Sequence, residues 1–291
     1  MFKKINNITY LKNEPLSNFC TFKIGGNAKY IVLAHNIDAL LDTINVCIQH
    51  SIKYKIIGNG SNMLFDDLGY NGTIIKYVDN YKKLVDNALY VSSGNYLSDL
   101  IQYTSSNNLS GLEFAIGVPA QLGGAITNNL GAYNHDIGSL TQYVTVLRGK
   151  HIAYLNQDEC RFTYHKSSLQ KSTDIILSAI IHLNPSNKAQ ILSNTKQFFA
   201  RRTSTQPLQH ANAGSIFKRM DNVVPAKLID ELQLKGIRVG GAQISTKHTG
   251  FIVNLNGATC KDVLRLIDII KSKIYEKYNI NLELEIEYLP F

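Results

Sequence analysis

Long apolar runs are missing from this chain. None approaches the roughly 20 residues that a membrane-spanning helix requires. The opening Met1-Phe2-Lys3-Lys4-Ile5-Asn6-Asn7 soon turns polar and lacks the apolar core of a secretory leader. A soluble, cytoplasmic protein is therefore expected. Cysteine is scarce: Cys20, Cys47, Cys160 and Cys260 lie far apart, with no Cys-x-x-Cys pair. That spacing argues against a disulfide framework or a metal site and for buried, reduced thiols. Concentrated basic runs are lacking too. The net charge is +8, but the lysines are scattered and not interleaved with aromatic residues. This argues against nucleic acid and suits a small anionic ligand. Neither an internal repeat nor a low-complexity tract is visible.

What is present has room for more than one domain, with 291 residues of which 44% are apolar. The chain is organised around Gly58-Asn59-Gly60-Ser61-Asn62, which follows the extended stretch Tyr54-Lys55-Ile56-Ile57. Two glycines around one small polar residue let the backbone turn sharply and expose successive N–H groups, a natural seat for a pyrophosphate. A P-loop ends in Gly-Lys-Ser/Thr, and no lysine follows here. A Rossmann turn has a third glycine and opens a helix. Here Met63 takes that glycine's place, and Met63-Leu64-Phe65 and Gly72-Thr73-Ile74-Ile75 read as loop and strand. Alone, the turn fits an ordinary tight turn as well as a cofactor loop.

Around it, Lys29–Leu33 reads as a strand. Asn36 caps a helix with Leu40, Ile44, Cys47 and Ile48 on one face. Further on come a strand at Ala88–Val91, a helix face at Leu97, Leu100 and Ile101, a hairpin turning at Gly149, and a buried strand at Ile175–Ile181. Between them lies Gly117–Tyr133, rich in glycine and alanine, where a flat ligand or a second backbone can approach closely. Gly123-Gly124 stand just ahead of Ala125–Asn129, so this segment reads either as a helix N-terminus facing an anion or as a helix packed on a sheet. Composition changes near Pro185-Ser186-Asn187, a candidate domain boundary. A helix then leads to Arg201-Arg202 and ends at Gln206-Pro207. Pro225 opens another helix, with Leu228, Ile229 and Leu232 inward. Thr259 and Asp262 form a capping box ahead of Val263, Ile267, Ile270 and Ile274. Leu282–Tyr288 reads as a period-two strand with Glu283, Glu285 and Glu287 on one side.

Few residues stand out for chemistry. Ser215 sits between Gly214 and the apolar pair Ile216-Phe217, with Lys218 three residues on. It reads as a turn residue, as a nucleophile served by His210 or His248, or as a proton donor to a carbanion. No Gly-x-Ser-x-Gly elbow is present. Glu283 and Glu287 read as a solvated face. Tyr164-His165-Lys166-Ser167 is polar and partly cationic. Arg201, Arg202 and Lys218 are candidate anion contacts.

Taken together, Thr21–Gly26, the Gly58–Asn62 turn, Gly117–Tyr133, Gln206-Pro207, Ala213–Lys218, Gly240-Gly241-Ala242-Gln243 and Leu282–Ile286 resemble, in the same order, the UDP-N-acetylenolpyruvoylglucosamine reductase family. The resemblance runs from about Asn18 to Tyr288 and is to the shorter branch, without the inserted tyrosine-bearing loop. It implies an α+β protein: two-part FAD-binding α/β domains of the vanillyl-alcohol-oxidase/PCMH type plus a C-terminal α/β substrate-binding domain. The implied spans are 1–78 (pyrophosphate loop), 79–187 (second flavin part) and 188–291 (substrate domain). The implied activity is NADPH-dependent, FAD-mediated reduction of UDP-N-acetylglucosamine enolpyruvate to UDP-N-acetylmuramate, for peptidoglycan synthesis, by a monomer. Another FAD oxidoreductase on the same fold, or a non-catalytic binder of FAD and UDP-sugar, are the alternatives. By resemblance, FAD is held by Gly58, Asn59, Gly60, Ser61 and Asn62, by Gly117, Val118 and Pro119, and by Gly123, Gly124, Ala125, Thr127, Asn128, Gly131 and Ala132. Ser215 gives the proton and Glu285 is the active-site glutamate, in a Leu-Glu-Pro-Glu-Val pattern that here reads Leu282-Glu283-Leu284-Glu285-Ile286. Lys218, Arg202 and Gln243 meet the substrate. One departure matters: the family's Tyr-Arg-x-Ser is Tyr164-His165-Lys166-Ser167 here, so His165 is expected in the arginine's enolate-stabilising role, with Lys166 the alternative.

Overall fold

The computed structural model describes residues 2–220 and 223–291. They form two compact units. The first comprises residues 2–10, Val32–Asn59 and Ile74–Arg202; the second comprises Leu11–Ile31, Gly60–Thr73 and the described residues of 203–291. The division falls inside the strands Ile8–Pro15, Asn27–Ala34 and Tyr70–Tyr77, which with Tyr54–Ile57 make a four-stranded sheet. Helix and strand are mixed throughout, the α+β class expected.

The first unit is built on a five-stranded antiparallel sheet in the order His151–Asn156, Thr141–Arg148, Ile175–His182, Ala88–Ser92, Lys82–Val85. Alternation selects its inner face. Leu89, Val91, Val144, Val146, Ala179 and Ile181 join one buried cluster with Leu100, Ile101, Leu122 and Ile126 from two helices, Leu97–Ser106 and Leu122–Thr127. The helix Ile37–Gln49 begins where Asn36 Oδ1 accepts the Ala39 N–H at 2.8 Å. It buries Leu40, Ile44 and Cys47, but Ile48, expected on that face, is 57% exposed. Ile48 lies one residue beyond Cys47, at the rim of the buried stripe.

The second unit carries an antiparallel sheet in the order Ala211–Ser215, Phe251–Asn254, Ala242–Ile244, Arg238–Val239. The helix Cys260–Tyr278 packs on its last two strands. Both bonds of the expected capping box are made, and Val263, Ile267, Ile270 and Ile274 are all buried. Asp67 adds a second cap from afar, accepting the Cys260 N–H at 2.7 Å and the Lys261 N–H at 3.1 Å. Burial beside Asp67 and Asp66 pushes the Cys260 thiol up to about 12.

One expected strand is shorter than its pattern. Only Glu287–Leu289 is regular, running parallel to Met63–Phe65. Leu284 makes an isolated bridge to Phe217, and Glu285-Ile286 are a bend between the two pairings. Period-two alternation satisfied each half, but the partner changes at Glu285, so the ladder breaks there. The parallel pair is pinned by Tyr288, whose hydroxyl donates to Asp66 Oδ2 at 2.5 Å. That bond holds the Asp66 carboxyl below its usual range. Stability from a lowered carboxylate is complete above the unfolded-state value of about 4 and is lost as pH falls through the lower folded value. Tyr288→Phe should therefore cost about 0.5–1 kcal/mol at pH 7, small because the pair is partly solvated. The difference from wild type should shrink below about pH 4, as urea melts across pH would show.

Candidate active site

The glycine turn leaves the strand Tyr54–Ile57 and enters the strand Met63–Phe65, not a helix, so it belongs to neither the Rossmann nor the P-loop class. Its first two residues lie in the first unit. There Asn59 Nδ2 donates to the Pro119 carbonyl at 2.8 Å, and the Tyr96 hydroxyl donates to Asn59 Oδ1 at 3.3 Å. The turn is thus tied directly to the small-residue run. Nothing but Gln121 comes near where a Gly58 Cβ would lie.

In that run the helix begins slightly earlier than its glycines suggest. The helix starts at Leu122, so Gly123-Gly124 lie inside its first turn. The Leu122 and Gly123 N–H groups are already bonded, to Asn95 O and Ser93 O at 2.9 Å each. Close packing decides the glycines' roles. A Cβ on Gly123 would lie 3.1 Å from Ser93 Cβ, whereas nothing lies within 4 Å of where one on Gly124 would be. One glycine lies tight against the protein's own packing and the other leaves an open backbone surface. At the far end of the run, the Tyr133 hydroxyl is buried and has no hydrogen-bond partner among the described residues. An open glycine surface and an orphaned buried hydroxyl on one segment fit a bound cofactor that supplies the missing contacts.

Sequence reasoning passed over the frame beneath this segment. Gln121 is buried, and its Nε2 donates to Gly94 O at 2.7 Å. Ser93 Oγ donates to Ile176 O at 2.6 Å. A lone glutamine among alanines and glycines was the available signal, because a buried amide persists only where its bonds are met.

Arg202 also belongs to this frame. Its Nε donates to Ile116 O at 2.8 Å and its Nη2 to Phe114 O at 3.1 Å, just ahead of Gly117. Burial lowers its pKa from the usual arginine range. The guanidinium lies 5.4 Å from the Tyr133 ring centroid, and that ring stacks on Phe198 at 5.2 Å.

His165 occupies a two-residue turn with Tyr164, closed by the Thr163–Lys166 bridge, and its φ is +50°. The turn is fastened to the end of the small-residue helix. Ser167 Oγ donates to Thr127 O at 2.6 Å, Asn129 Nδ2 donates to Thr163 O at 2.8 Å, and Gln170 Nε2 joins His165 O to Asn128 Oδ1 at 3.0 Å each. Tyr164 packs edge-on against the His165 ring, with centroids 4.4 Å apart. Lys166 is exposed.

In the second unit Ser215 ends a strand broken by a bulge. The register shifts between Asn212 and Ser215, Gly214 has a φ of +80°, and Asn212 Oδ1 accepts the Gly214 N–H at 2.9 Å. A bulge re-aims the side chain that follows it, and glycine is needed here for its positive φ, since the space around it is open. Ser215 is exposed. Neither His210 nor His248 bonds to it among the described residues. His248 Nδ1 instead accepts the Gly250 N–H at 3.2 Å, and burial lowers its pKa, so no base is poised to make Ser215 a nucleophile.

The chain next to Ser215 meets the Glu285 bend. The Glu285 N–H donates to Ile216 O at 2.8 Å, and the Lys218 N–H donates to Glu283 O at 2.9 Å. The structure therefore brings Ser215 and Glu285 onto neighbouring, hydrogen-bonded segments. Glu283 and Glu287 are exposed and Glu285 is half-buried. Lys218 Nζ pairs with Glu283 at 3.3 Å, a solvated contact of little strength. Gln243 Nε2 donates to Gly236 O at 3.0 Å. Gly60, Ser61 and Asn62 also lie in this unit.

Among the described residues no helix is long and apolar enough to cross a membrane, and no cluster of His, Cys, Asp or Glu is arranged to hold a metal. All four cysteines are free and buried.

A glycine turn between strands, joined to a small-residue segment that carries an unmet buried hydroxyl, fits the class of FAD-dependent oxidoreductase, and the FAD binding domain family matches residues 28–149. Residues 206–289 match the UDP-N-acetylenolpyruvoylglucosamine reductase C-terminal domain. The reductase of that name from Caldicellulosiruptor saccharolyticus is 40% identical over 287 residues, covering 97% of this chain and 93% of the relative. The one from Clostridium botulinum type Ba4 is 37% identical over 288 residues, covering 98% and 94%. The crystal structure of the Thermus caldophilus reductase superposes with a TM-score of 0.83 at 31% identity, over 97% of this chain and 99% of that one. The chain belongs to the UDP-N-acetylenolpyruvoylglucosamine reductase family, and so is an FAD-containing oxidoreductase that takes its electrons from NADPH.

Proposed function

We propose that this protein reduces UDP-N-acetylglucosamine enolpyruvate to UDP-N-acetylmuramate in the cytoplasm, as a monomer, and so serves peptidoglycan precursor synthesis and, through it, cell shape and division. The observation that carries the reading is the placing of Ser215 and Glu285 on adjacent hydrogen-bonded segments. In this reading residues 1–78 and 79–187 serve the flavin and 188–291 the substrate. Gly58–Asn62 hold FAD together with Gly117, Val118, Pro119, Gly123, Gly124, Ala125, Thr127, Asn128, Gly131 and Ala132. When bound, FAD supplies the two-electron step between NADPH and the enolpyruvyl ether.

The protein's own groups manage charge and one proton. Charge develops at the ether's C2 and spreads into its carboxylate. Ser215 delivers its hydroxyl proton to C2, and Glu285 keeps that exchange inside fixed groups instead of water. Lys218 and Gln243 meet the anionic substrate by exchanging their present partners for it. Arg202 supports the site through the carbonyls it holds ahead of Gly117. His165 stands where the family has arginine and offers one N–H or a cationic ring in place of a bidentate fork.

The visible spectrum tests the whole reading. NADPH should bleach the purified protein, and the enolpyruvyl substrate should then restore its colour. Restoration by oxygen alone would point to an oxidase on the same fold, and a protein that NADPH never bleaches would be a binder only. For the arginine's replacement, His165→Ala should lower turnover by about tenfold or more while changing substrate affinity little. A fall in turnover with rising pH that is absent from the variant would show that the ring acts as a cation, and the lack of such a fall that it acts through one N–H. A large loss in Lys166→Ala with a mild one in His165→Ala would transfer the role to the lysine.

A further inference from the structure

The bend that carries Glu285 is held from two sides, and one side belongs to the glycine turn. Asn62 Nδ2 donates to the Glu285 carbonyl at 3.0 Å, and the Glu287 N–H donates to the Asn62 carbonyl at 2.8 Å. The Glu285 N–H is taken by Ile216 O, one residue past Ser215. Both backbone polar groups of Glu285 are therefore engaged, one from beside the serine and one from Asn62. This is the point where the segment leaves its antiparallel bridge to Phe217 for its parallel pairing with Met63. No regular ladder spans the bend, so the Asn62 amide stands in for the missing ladder bond.

We propose that Asn62 is a positioning residue for Glu285: its side-chain amide fixes the bend and, through it, the place of the carboxylate relative to Ser215. This rests on the reading that Glu285 acts in the reduction, and it assigns Asn62 a duty beyond contact with FAD. Asparagine suits that duty because its amide is short and donates. Alanine removes the bond. An ionised aspartate turns it into repulsion between a carboxylate and a carbonyl, whereas a protonated aspartate restores an O–H donor.

The test separates the two half-reactions in Asn62→Ala, Asn62→Asp, Glu285→Ala and the double variant Asn62→Ala/Glu285→Ala. Asn62→Ala should slow the return of colour with enolpyruvyl substrate by about 10–100-fold, the scale of a displaced catalytic group. At saturating FAD, bleaching by NADPH should slow much less than the return of colour, so that the ratio of the two rates falls about tenfold or more. The double variant should be no slower than Glu285→Ala alone, because a group already removed has no position to lose. In Asn62→Asp the rate should recover as pH falls toward about 4, a recovery that Asn62→Ala lacks. Without any turnover, amide exchange across 284–287 should rise in Asn62→Ala while helix Cys260–Tyr278 stays protected. If Asn62→Ala fails to fold, Asn62→Ser, which keeps a shorter donor, should show the same selective slowing in milder form.

Parallel loss of FAD affinity and of both half-reactions would make Asn62 a flavin contact and nothing more. A full extra loss in the double variant would show that it acts apart from Glu285. Normal colour return in Glu285→Ala would instead overturn the catalytic role of Glu285 itself, and the inference with it.

Discussion

With Ser215 replaced by alanine, the protein should still bleach with NADPH, and its colour should return about 10²–10⁴-fold more slowly when enolpyruvyl substrate is added. Chemistry sets the asymmetry. Taking up electrons from NADPH needs no proton from the serine. Reduction of the enolpyruvyl ether leaves charge at C2 that only a placed donor relieves quickly. Free serine is a weak acid, so its usefulness depends on where it is held and on what excludes water. The bulge at Gly214 provides the placing: the register shift re-aims residue 215, and Asn212 closes the loop behind it. Cysteine at this position is the informative companion. It retains a proton to give and should recover much of the rate, whereas a nucleophilic serine would leave a covalent adduct in its stead. Stopped-flow absorbance of both half-reactions, in variants matched for FAD content, measures this directly. Equal slowing of both would remove Ser215 from proton delivery.

Much of this arrangement could be read from the sequence where the relevant forces are local. Thr259 and Asp262 bond to each other's backbones within one helical turn, so their spacing alone announced the cap. The glycine turn was readable because an extended apolar stretch leads into it, and a Rossmann turn was excluded because Met63 stands in place of its third glycine and loop and strand follow. Ser215 and Glu285 became legible as a pair only by resemblance. No periodicity links residue 215 to residue 285, and their neighbourhood is decided by one bridge, Phe217 to Leu284.

What the sequence left hidden has a common physical origin. The run from Leu282 to Tyr288 satisfies a period of two, yet Glu285 lies where one pairing partner is exchanged for another. A local pattern cannot register a change of partner. Gly123-Gly124 read as standing just ahead of a helix, whereas the helix begins at Leu122 and its first N–H groups are taken by Asn95 and Ser93, which sequence distance conceals. Arg202 reads as a cation available to a ligand. Only the fold brings it under carbonyls 86 and 88 residues away, where its charge is buried and its donors are engaged. Asn62 was visible as a member of the turn, but its bond to residue 285 spans 223 positions.

Of the two glycines in the turn, Gly60 is the one the fold depends on, and Gly60→Ala should release FAD and destabilise the chain together. Two costs add. The backbone at Gly60 has a φ of +61°, a left-handed conformation costing about 1–2 kcal/mol for a residue with a Cβ. The new Cβ would also lie 2.7 Å from the Phe19 carbonyl oxygen and 2.8 Å from Cys20 Cβ. Neither neighbour is a flexible side-chain end, and the Gly60 carbonyl itself accepts the Thr21 N–H at 3.4 Å, so relief requires the backbone to move. Overpacking of that kind costs about 1–3 kcal/mol more. A total of about 2–5 kcal/mol is a large part of the roughly 5–15 kcal/mol by which ordinary domains are stable. Gly58 is the control. A Cβ there would meet nothing closer than Gln121 at 3.5 Å, so Gly58→Ala should fold nearly as wild type and report on cofactor approach alone. Thermal melts of both variants, with and without added FAD, separate the effects. Gly60→Ala should melt well below wild type even at saturating FAD. Gly58→Ala should differ from wild type chiefly when FAD is present, because ligand stabilisation follows the ratio of ligand concentration to its dissociation constant. A Gly60→Ala protein with wild-type melting and full flavin content would mean that this turn neither needs a left-handed residue nor presses on Phe19 and Cys20. The rigid turn that sets the places of Ser61 and Asn62 would then lose its physical basis.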